Sequence, residues 1–333
     1  MSTYKSKSAR LLGLLSLLLV LVLGMSSCSS AKNVEGEERM ADGIVTEKPK
    51  GYFRILVAGV DRASGLADVL MLISWNRDTE EAWILQIPRD TYAAYTKGSY
   101  RKLNGVIHAL GGIEETRTLL EEALGLPIDR FMVVSLDALA QTVDALGGVE
   151  VELPQSMEYR DPAQGLVIHL PAGKQTLDGK EAEQLIRYRS GYARGDLDRL
   201  DTQKIFLAAL LKKIKQTHSP ATLIKLASAL MKNTETDLTV GDVVLLAPEL
   251  LRLETERVGF VTAPGADTVA TVSGASYYVL SSVGMREVLE KYLGGEADAF
   301  DPREIFLNVK YPHFQKIYRE KADYHPIHAS ALG

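Results

Sequence analysis

The chain has 333 residues, of which 46% are hydrophobic and 24% are charged. Such a composition is typical of a globular protein with a sizeable core and excludes disorder over most of the length. The formal net charge is -5 at pH 7. A mildly acidic chain lacks the basic face that a nucleic-acid backbone needs, so we expect no nucleic-acid partner.

The first 28 residues have the pattern of an export signal. Basic residues precede an apolar run over residues 11–25, and small polar residues follow around Cys28. Cys28 is the single cysteine of the chain, and its position resembles the lipidation site of bacterial lipoproteins. An uncleaved anchor helix is the alternative. Both interpretations place the rest of the chain on the extracytoplasmic face of the bacterial cytoplasmic membrane, or in the periplasm as a lipoprotein.

Residues 29–50 are polar and aperiodic, which predicts a flexible tether. The apolar runs FRILVAGV, DVLMLISW and EAWILQIP then predict three buried strands that are neighbours in one sheet. The segments IEETRTLLEEAL and LDALAQTVDALGG predict amphipathic helices, and VEVELP predicts a strand. This alternation of strands and helices indicates a layered α/β domain.

The second half of the chain is predicted to be mainly helical. One helix is expected in LDGKEAEQLIRYR, where Asp178 and Glu181 have capping-box spacing, and the next in DLDRLDTQKIFLAALLKKIKQ. Further helices are expected in ATLIKLASALM, VGDVVLLAPELL and SVGMREVLEKYL, with short strands around RVGFVTAPGA and YYVL. Because the composition does not shift sharply before Gly294, we predict one domain over residues 51–295 and a loosely attached tail over residues 296–333.

The stretch IRYRSGYARGDLDRLDTQ gathers four arginines and no lysine. If the chain is extended after the preceding helix, Arg187 and Arg189 share one face. Asp196, Arg199 and Gln203 are spaced by three and four residues, so they share one face of the following helix. Planar guanidiniums bind phosphate oxygens in pairs better than lysine does. The stretch predicts an anion site suited to pyrophosphate, with a solvated surface of ion pairs as the alternative.

Carboxylates and a further arginine follow the ends of the first strands. Asp61 ends one predicted strand and Asp68 begins the next, so a short loop returns both to the same edge of the sheet. A few hard oxygen ligands suit a Mg²⁺ ion shared with substrate phosphates, although such aspartates are also common turn formers. Arg89 and Asp90 follow Pro88 at the next strand end. Strand ends are where α/β sheets usually bind ligands, and a surface ion pair is the alternative.

Seven segments, taken in order, resemble the LytR-CpsA-Psr family of cell-envelope enzymes. They are ILVAGVDR, ADVLMLISWN, ILQIPRDTY, KLNGVIHALGG, DALGGVEVELP, AGKQTLDGKEAEQLIRYR and GDLDRLDTQKIFLAAL, and together they lie within residues 51–215. The resemblance implies a three-layer α/β/α sandwich around a central mixed sheet, with an apolar cleft for a polyprenyl chain. It also implies Mg²⁺-dependent phosphotransfer from a polyprenyl-pyrophosphate-linked glycan to a peptidoglycan acceptor, which releases polyprenyl phosphate.

The same resemblance assigns roles to individual residues. Asp61 and Asp68 match the Mg²⁺ ligands, and catalytic roles pass to Asp61, Arg62, Arg89 and Asp196. Asp196 or Asp61 would take the proton from the attacking hydroxyl. The residues that match the pyrophosphate-binding set are Arg89, Arg187, Arg189, Arg199 and Gln203.

The chain departs from the family pattern at several of these motifs. Leu66 and Ala67 stand where Arg-Ser usually precedes the second metal aspartate, Thr202 replaces an arginine, and Gln86 replaces a serine. Two cationic positions are therefore missing, and Arg194 is the candidate to compensate. These losses keep two other functions open, namely a hydrolase that uses water as the acceptor and a non-catalytic module that binds polyprenyl phosphates.

Overall fold

The computed structural model describes residues 51–61, 66–93, 102–105, 111–162, 165–216, 234–269, 274–300 and 312–333. The predicted export signal, Cys28 and the tether lie outside these residues, as do Arg62, the side chain of Asp61 and the helix predicted in ATLIKLASALM. Within the described part, none of the helices combines the length and hydrophobicity that crossing a membrane requires.

Seven of the described strands form a central mixed sheet in the order β13-β10-β3-β2-β1-β4-β9. Strand β1 pairs antiparallel with β2, and β2 pairs antiparallel with β3, as predicted for the first three apolar runs. The pairs β1–β4 and β3–β10 are parallel. The strands are β1 (Tyr52–Asp61), β2 (Leu66–Asn76), β3 (Glu81–Gln86), β4 (Arg130–Ser135), β5 (Val149–Leu153), β6 (Met157–Asp161), β7 (Leu166–Leu170), β8 (Gly173–Leu177), β9 (Thr234–Thr236), β10 (Val258–Thr262), β11 (Gly265–Val269), β12 (Ser276–Leu280) and β13 (Ile327–His328).

The other strands form three two-stranded ribbons, β5–β8, β6–β7 and β11–β12. The predicted strand VEVELP is therefore present as β5, but it pairs with β8 outside the central sheet. Its side chains alternate between buried and exposed, because a ribbon packs on one face only. The strands expected around RVGFVTAPGA and YYVL are also present, as β10, β11 and β12.

The helices agree closely with the predicted segments. Helix α3 begins with the predicted capping box, in which the Glu181 amide donates to Asp178 Oδ1 at 2.8 Å and the Asp178 amide donates to Glu181 Oε2 at 2.9 Å. The described helices are α1 (Ile113–Leu124), α2 (Leu136–Ala145), α3 (Gly179–Arg187), α4 (Asp196–Gln216), α5 (Val240–Arg252), α6 (Ser282–Val288) and α7 (Pro312–Arg319).

Helices pack on both faces of the central sheet. Because side chains alternate along a strand, Leu56 and Leu72 point into one core, which they share with Leu120 of α1. Val57 and Met71 point to the opposite face, where α2 and α4 lie. The predicted α/β class and the central mixed sheet are confirmed by this arrangement.

The C-terminal segment differs from the predicted loose tail. Phe314 is 1% exposed and packs edge-on against Tyr92, with ring centroids 5.1 Å apart. Strand β13 pairs with β10 at the edge of the central sheet, and Ala329 after it is buried. Pairing protects an otherwise open strand edge, and burial of the aromatic ring stabilises α7. Residues 312–333 are thus an integral part of the domain.

Candidate active site

A β-bulge positions Asp68 at the end of the β1–β2 hairpin. Gly59 pairs with Val69, whereas the next residue, Val60, pairs with Ala67. Asp68 is therefore the extra residue on β2. Bulges of this kind bend a strand and redirect a side chain, and they are common beside active sites.

Asp68 is bridged by two arginines that are distant in sequence. Arg89, which follows β3, places Nη1 2.9 Å from Asp68 Oδ1. Arg189, which follows α3, places Nη2 2.6 Å from Asp68 Oδ2. Helix α3 ends at Arg187, and Tyr188 is extended and buried, so Arg189 can reach back to the sheet. Arg187 is helical, so the extended stretch that would put Arg187 and Arg189 on one face does not include Arg187. Asp68 thereby joins the strand ends to the arginine-rich stretch.

The first turn of α4 completes what we call the arginine–aspartate cluster, namely Asp68, Arg89, Arg189, Asp196 and Arg199. Asp196 Oδ1 lies 2.6 Å from Nη2 of Arg199 and 3.6 Å from Nε of Arg89. With three arginines against two aspartates, the cluster has one excess positive charge. Its cations come from three separate segments of the chain and converge on two carboxylates, and guanidiniums gathered in this way suit an anion with several oxygens.

Arg199 and Gln203 are each only 1% exposed, yet parts of both side chains have no hydrogen-bond partner within the described residues. The unpaired atoms are Nη1 of Arg199 and both amide atoms of Gln203. Burial lowers the pKa of Arg199, and the carboxylate of Asp196 opposes this shift. Because unpaired buried polar groups destabilise a fold, their presence on one face of α4 indicates a place for a polar ligand.

An apolar cleft of about 200 Å³ includes Gln203 in its lining. It lies between the sheet and the α2–α3–α4 layer, and apart from Gln203, Ser135 and Thr142 its lining side chains are apolar. The lining residues include Val57, Val69, Met71, Leu139, Phe206 and Leu210. A long hydrocarbon chain in this cleft would have its polar end beside Gln203 and Arg199.

Two further aspartates, Asp90 and Asp267, lie beside the cluster. Asp90 accepts a hydrogen bond from Lys102 Nζ at 3.0 Å and lies 4.0 Å from Arg89 Nε. Burial raises the pKa of Asp267 on β11, and repulsion by Asp196 and Asp90 adds to the shift. The sequence does not indicate that Lys102 or Asp267 lies near the cluster, because tertiary contacts bring each of them there.

Two of the four arginines of the stretch IRYRSGYARGDLDRLDTQ form ion pairs with carboxylates outside the arginine–aspartate cluster. Arg187 forms an ion pair with Glu183 of its own helix, with 3.1 Å between Nη1 and Oε1. Arg194 lies 2.6 Å from both Asp198 and Asp201. These two ion pairs occupy the guanidinium of Arg194. The expectation that Arg194 compensates for the two missing cationic positions is therefore not supported.

The positions that depart from the family pattern are well packed. Thr202 is 3% exposed and accepts a hydrogen bond from the Tyr192 hydroxyl at 3.2 Å, in place of an arginine side chain. Gln86 is fully buried, and its Nε2 lies 3.5 Å from the Leu200 carbonyl. Ala67 is 1% exposed in β2. The substitutions therefore contribute to the core beneath the cluster.

The described residues contain no group of three or more potential metal ligands among His, Cys, Asp and Glu. Of the predicted metal pair, Asp68 has a described side chain, which is 21% exposed at the edge of the cluster. The backbone of Asp61 ends β1 opposite Leu66, two residues from Asp68. One or two carboxylates that share a Mg²⁺ ion with substrate phosphates are a common arrangement, so this donor set fits a metal held jointly with substrate.

The comparisons with known proteins agree with this architecture. The LytR_cpsA_psr family profile matches residues 19–292, and the chain therefore belongs to this family. Its relatives include polyisoprenyl-teichoic acid–peptidoglycan teichoic acid transferases. TagV of Bacillus subtilis is 25% identical over 84% of this chain and 76% of that protein. TagU of the same organism is 30% identical over 71% of this chain and 80% of that protein.

Solved structures of such relatives superpose on the domain. The crystal structure of Bacillus subtilis TagV has a TM-score of 0.63 at 25% identity and covers 74% of this chain and 99% of that one. A structure of TagT bound to LIIa-WTA has a TM-score of 0.60 at 28% identity, covering 74% of this chain and 91% of that one. The fold and the order of motifs are therefore shared with envelope transferases.

Proposed function

We propose that this protein is a Mg²⁺-dependent phosphotransferase that moves a glycopolymer from a polyprenyl-pyrophosphate carrier onto peptidoglycan. The observation that carries the proposal is that Gln203, which lines the apolar cleft, lies one helical turn from the buried guanidinium of Arg199, and both side chains have atoms without a hydrogen-bond partner among the described residues. An apolar cavity that ends in unpaired amide and cationic groups suits an amphiphile with a hydrocarbon chain and an anionic head.

The relatives support the same class of donor and acceptor. TagV and TagU are named as transferases that join polyisoprenyl-linked teichoic acid to peptidoglycan. The TagT structure bound to LIIa-WTA shows that a chain of this fold accepts such a ligand. By analogy, the donor of this protein is a lipid-linked glycan, with the lipid in the apolar cleft.

The cluster supplies the charge that phosphotransfer requires. Arg89, Arg189 and Arg199 would neutralise the pyrophosphate oxygens, and Asp196 holds two of these guanidiniums in place through Oδ1. Phosphoryl transfer needs mainly positioning and charge stabilisation, because the transition state is loose. Arg62 remains a predicted catalytic residue, and Arg187 remains a predicted member of the pyrophosphate site.

Asp61 and Asp68 are the residues that would hold Mg²⁺. The metal would neutralise charge on the bridging and terminal phosphate oxygens. Each oxygen of Asp68 already contacts an arginine. Asp68 would therefore both help to hold the metal and orient Arg89 and Arg189.

The reaction needs a group that accepts one proton. The acceptor hydroxyl oxygen forms a bond to the phosphorus next to the glycan, and the bond from that phosphorus to the bridging oxygen breaks, which releases polyprenyl phosphate. The hydroxyl proton passes to a carboxylate. Asp196 is suited to this role because its Oδ2 is buried and has no hydrogen-bond partner among the described residues. Asp61 is the other candidate.

The test supplies the full chain in detergent micelles with a lipid-pyrophosphate oligosaccharide, Mg²⁺ and soluble peptidoglycan oligomers. Wild type is compared with Asp68→Ala and Arg89→Ala, and Arg257→Ala serves as a control because Arg257 contacts the Thr79 carbonyl away from the cluster. Glycan phosphate joined to peptidoglycan in the wild type and control, but lost in both cluster variants, is the expected result.

Two other outcomes would contradict the proposal. Release of free glycan phosphate at the same rate with and without peptidoglycan would identify a hydrolase. Tight lipid binding with neither product would identify a non-catalytic binding module. The predicted anchor is tested separately, since a chain lipidated at Cys28 incorporates labelled fatty acid and the Cys28→Ser variant does not.

A further inference from the structure

Asp267 is a carboxylate near the arginine–aspartate cluster to which the family resemblance assigns no role. It lies on β11, opposite Tyr278 of β12. Strand β12 is joined in turn to the segment after β3, because the Tyr278 amide donates to the Asp90 carbonyl at 2.9 Å and the Tyr92 amide donates to the Tyr278 carbonyl at 2.7 Å. The ribbon of β11 and β12 therefore lies alongside the segment that carries Arg89 and Asp90.

The first turn of α4 approaches the same ribbon. Leu197, which follows Asp196 directly, and Gly265 of β11 line one cavity of about 490 Å³ beside the helix. Gly265 and Asp267 are two residues apart on β11, so they lie on the same face of the ribbon. Burial and repulsion by the carboxylates of Asp196 and Asp90 raise the pKa of Asp267, so both carboxylates lie near it. Asp267 is thus a neighbour of the cluster at its Asp196 end.

One face of α4 gives the cluster a direction. Gln203, which lines the apolar cleft, Arg199 and Asp196 follow one another on this face at intervals of about one helical turn. The Asp196 end of the cluster, where Asp267 lies, is therefore the end farther from the cleft.

The carboxylates at this end lack hydrogen-bond donors. Asp267 forms no hydrogen bond or ion pair with any of the described residues, and Oδ2 of Asp196 is buried without a partner among them. Asp267 is also exposed, so a large ligand can reach it from solvent. An unpaired carboxylate repels phosphate oxygens, whereas it accepts hydrogen bonds from hydroxyl groups. This end of the cluster therefore suits a neutral ligand rich in hydroxyl groups.

We propose that Asp267 binds the acceptor glycan by accepting a hydrogen bond from a hydroxyl group of the acceptor sugar; this rests on the proposed function. In phosphotransfer the attacking and leaving oxygens lie roughly in line on opposite sides of the phosphorus. With the leaving polyprenyl phosphate toward the cleft, the attacking hydroxyl enters at the Asp196 end. A neighbouring hydroxyl of the same sugar then donates to Asp267, which orients the attacking one.

The test compares Asp267→Ala and Asp267→Asn with wild type in the full chain. Asp298→Asn is the matched control, because Asp298 is a fully exposed carboxylate that pairs with Arg286 of α6. Binding of a soluble peptidoglycan oligomer is measured by calorimetry without donor. The transfer assay gives kcat, the acceptor KM, the donor KM and the Mg²⁺ concentration that supports half of the maximal rate.

We expect the oligomer Kd and the acceptor KM to rise about tenfold in Asp267→Ala, with the donor KM within about twofold of wild type. The value of kcat should fall less than the acceptor KM rises. Asp267→Asn should lose less affinity than Asp267→Ala, since an amide oxygen still accepts a hydrogen bond from a hydroxyl. The control should behave as wild type.

Oligomer binding that depends on Asp267 without any transfer would support this assignment while contradicting the proposed phosphotransferase. An unchanged oligomer Kd and acceptor KM in both variants would overturn the assignment. A lower donor KM with the acceptor KM unchanged would also overturn it, because Asp267 would then face and repel the pyrophosphate of the donor. A higher Mg²⁺ requirement with oligomer binding unchanged would identify Asp267 as a metal ligand instead.

Discussion

The two sides of the N-terminal half of α4 have opposite chemistry. On one side Gln203, Phe206 and Leu210 face a cleft whose lining is almost entirely apolar. On the other side Asp201 and Lys204 form an ion pair beside a larger cavity, whose lining mixes charged and apolar side chains. An ordinary surface helix would expose its polar side to solvent. Here that side is partly covered by the C-terminal segment.

The cluster at the start of α4 lies on the side of the apolar cleft, because Asp196, Arg199 and Gln203 share one face of the helix. Arg199 is almost fully buried there and pairs with Asp196. A buried arginine is costly unless it is paired, and here its pairing is incomplete within the described residues. The comparison of the two sides therefore teaches that α4 is arranged around a charged ligand at its first turns.

The largest effect is expected for Arg199→Ala, which removes the buried cation of the cluster. Loss of a charged donor to a phosphate in a dry site should lower kcat/KM for transfer by about 10² to 10³. Arg199→Lys keeps the charge but loses the planar fork, so it should recover a part of the activity only. Initial rates of glycan transfer give the comparison.

Thermal unfolding of each variant controls for misfolding, since Asp196 loses a partner in Arg199→Ala. Arg257→Ala, which removes an arginine from the surface, should transfer within about twofold of wild type. A folded Arg199→Ala protein that transfers as fast as wild type would show that the cluster is a structural network.

A tenfold effect is expected for Leu210→Trp, which fills the apolar cleft. Leu210 is partly exposed and lines the cleft, so the larger side chain should raise the donor KM about tenfold and leave the acceptor KM unchanged. Gln216→Trp is the control at an exposed position of the same helix. An acceptor KM that rises together with the donor KM would contradict the assignment of the apolar cleft to the lipid of the donor.

The substitution Gln203→Met should lower the transfer rate without lowering the free energy of unfolding. Its two amide atoms are buried and unpaired within the described residues, so an apolar side chain of similar length should leave the free energy of unfolding unchanged or raise it by about 1 kcal/mol. Transfer should nevertheless fall about tenfold, because the amide would contact the pyrophosphate. Urea unfolding and transfer rates on the same preparation test both parts. A clear loss of stability would indicate that Gln203 is a structural residue.

The smallest effect is expected for a substitution in the ion pair between Arg130 and Asp242, which line neither of the two cavities. A hydrogen bond from Arg130 to Asp242 lowers the pKa of Asp242 to about 2, and the Thr239 amide and hydroxyl, which also donate to this carboxylate, contribute further. Asp242→Asn should therefore reduce the free energy of unfolding by about 1 kcal/mol at pH 7 and leave transfer unchanged.

The pH dependence of this difference follows from the lowered pKa. The ionised carboxylate stabilises the fold fully above the unfolded value near 4, and this contribution is lost as the pH falls toward 2. Urea unfolding of both proteins should give a constant difference between pH 5 and 8 that shrinks below pH 4. A difference that grows on acidification would contradict the assignment.

Many of the helices and strands could be predicted from the sequence, because each depends on the pattern of residues that are close together in the chain. Helix α4 begins at Asp196 and ends at Gln216, as predicted from its apolar stripe and the lysines in its last turns. The C-terminal segment was misread because Phe314 is buried by contact with Tyr92, more than two hundred residues earlier. No periodic pattern announces such a contact.

The site was readable in part. The sequence predicted that Asp68, Arg89 and Arg199 act together, and the structure brings them into one cluster. The bulge at Asp68 could not be predicted, because it is set by the register between two strands. The apolar cleft was equally hidden, since Phe206 and Leu210 have the same spacing as residues of a helix core.

The most direct test of the central claim measures how the full chain binds a polyprenyl pyrophosphate, the matching polyprenol and inorganic pyrophosphate by calorimetry. If the cleft and the cluster bind one amphiphile, the intact lipid should bind at least about tenfold more tightly than either fragment, and Arg199→Ala should remove that advantage. Equal affinity for the lipid and for pyrophosphate alone, or lipid binding that is unchanged in Arg199→Ala, would contradict the account.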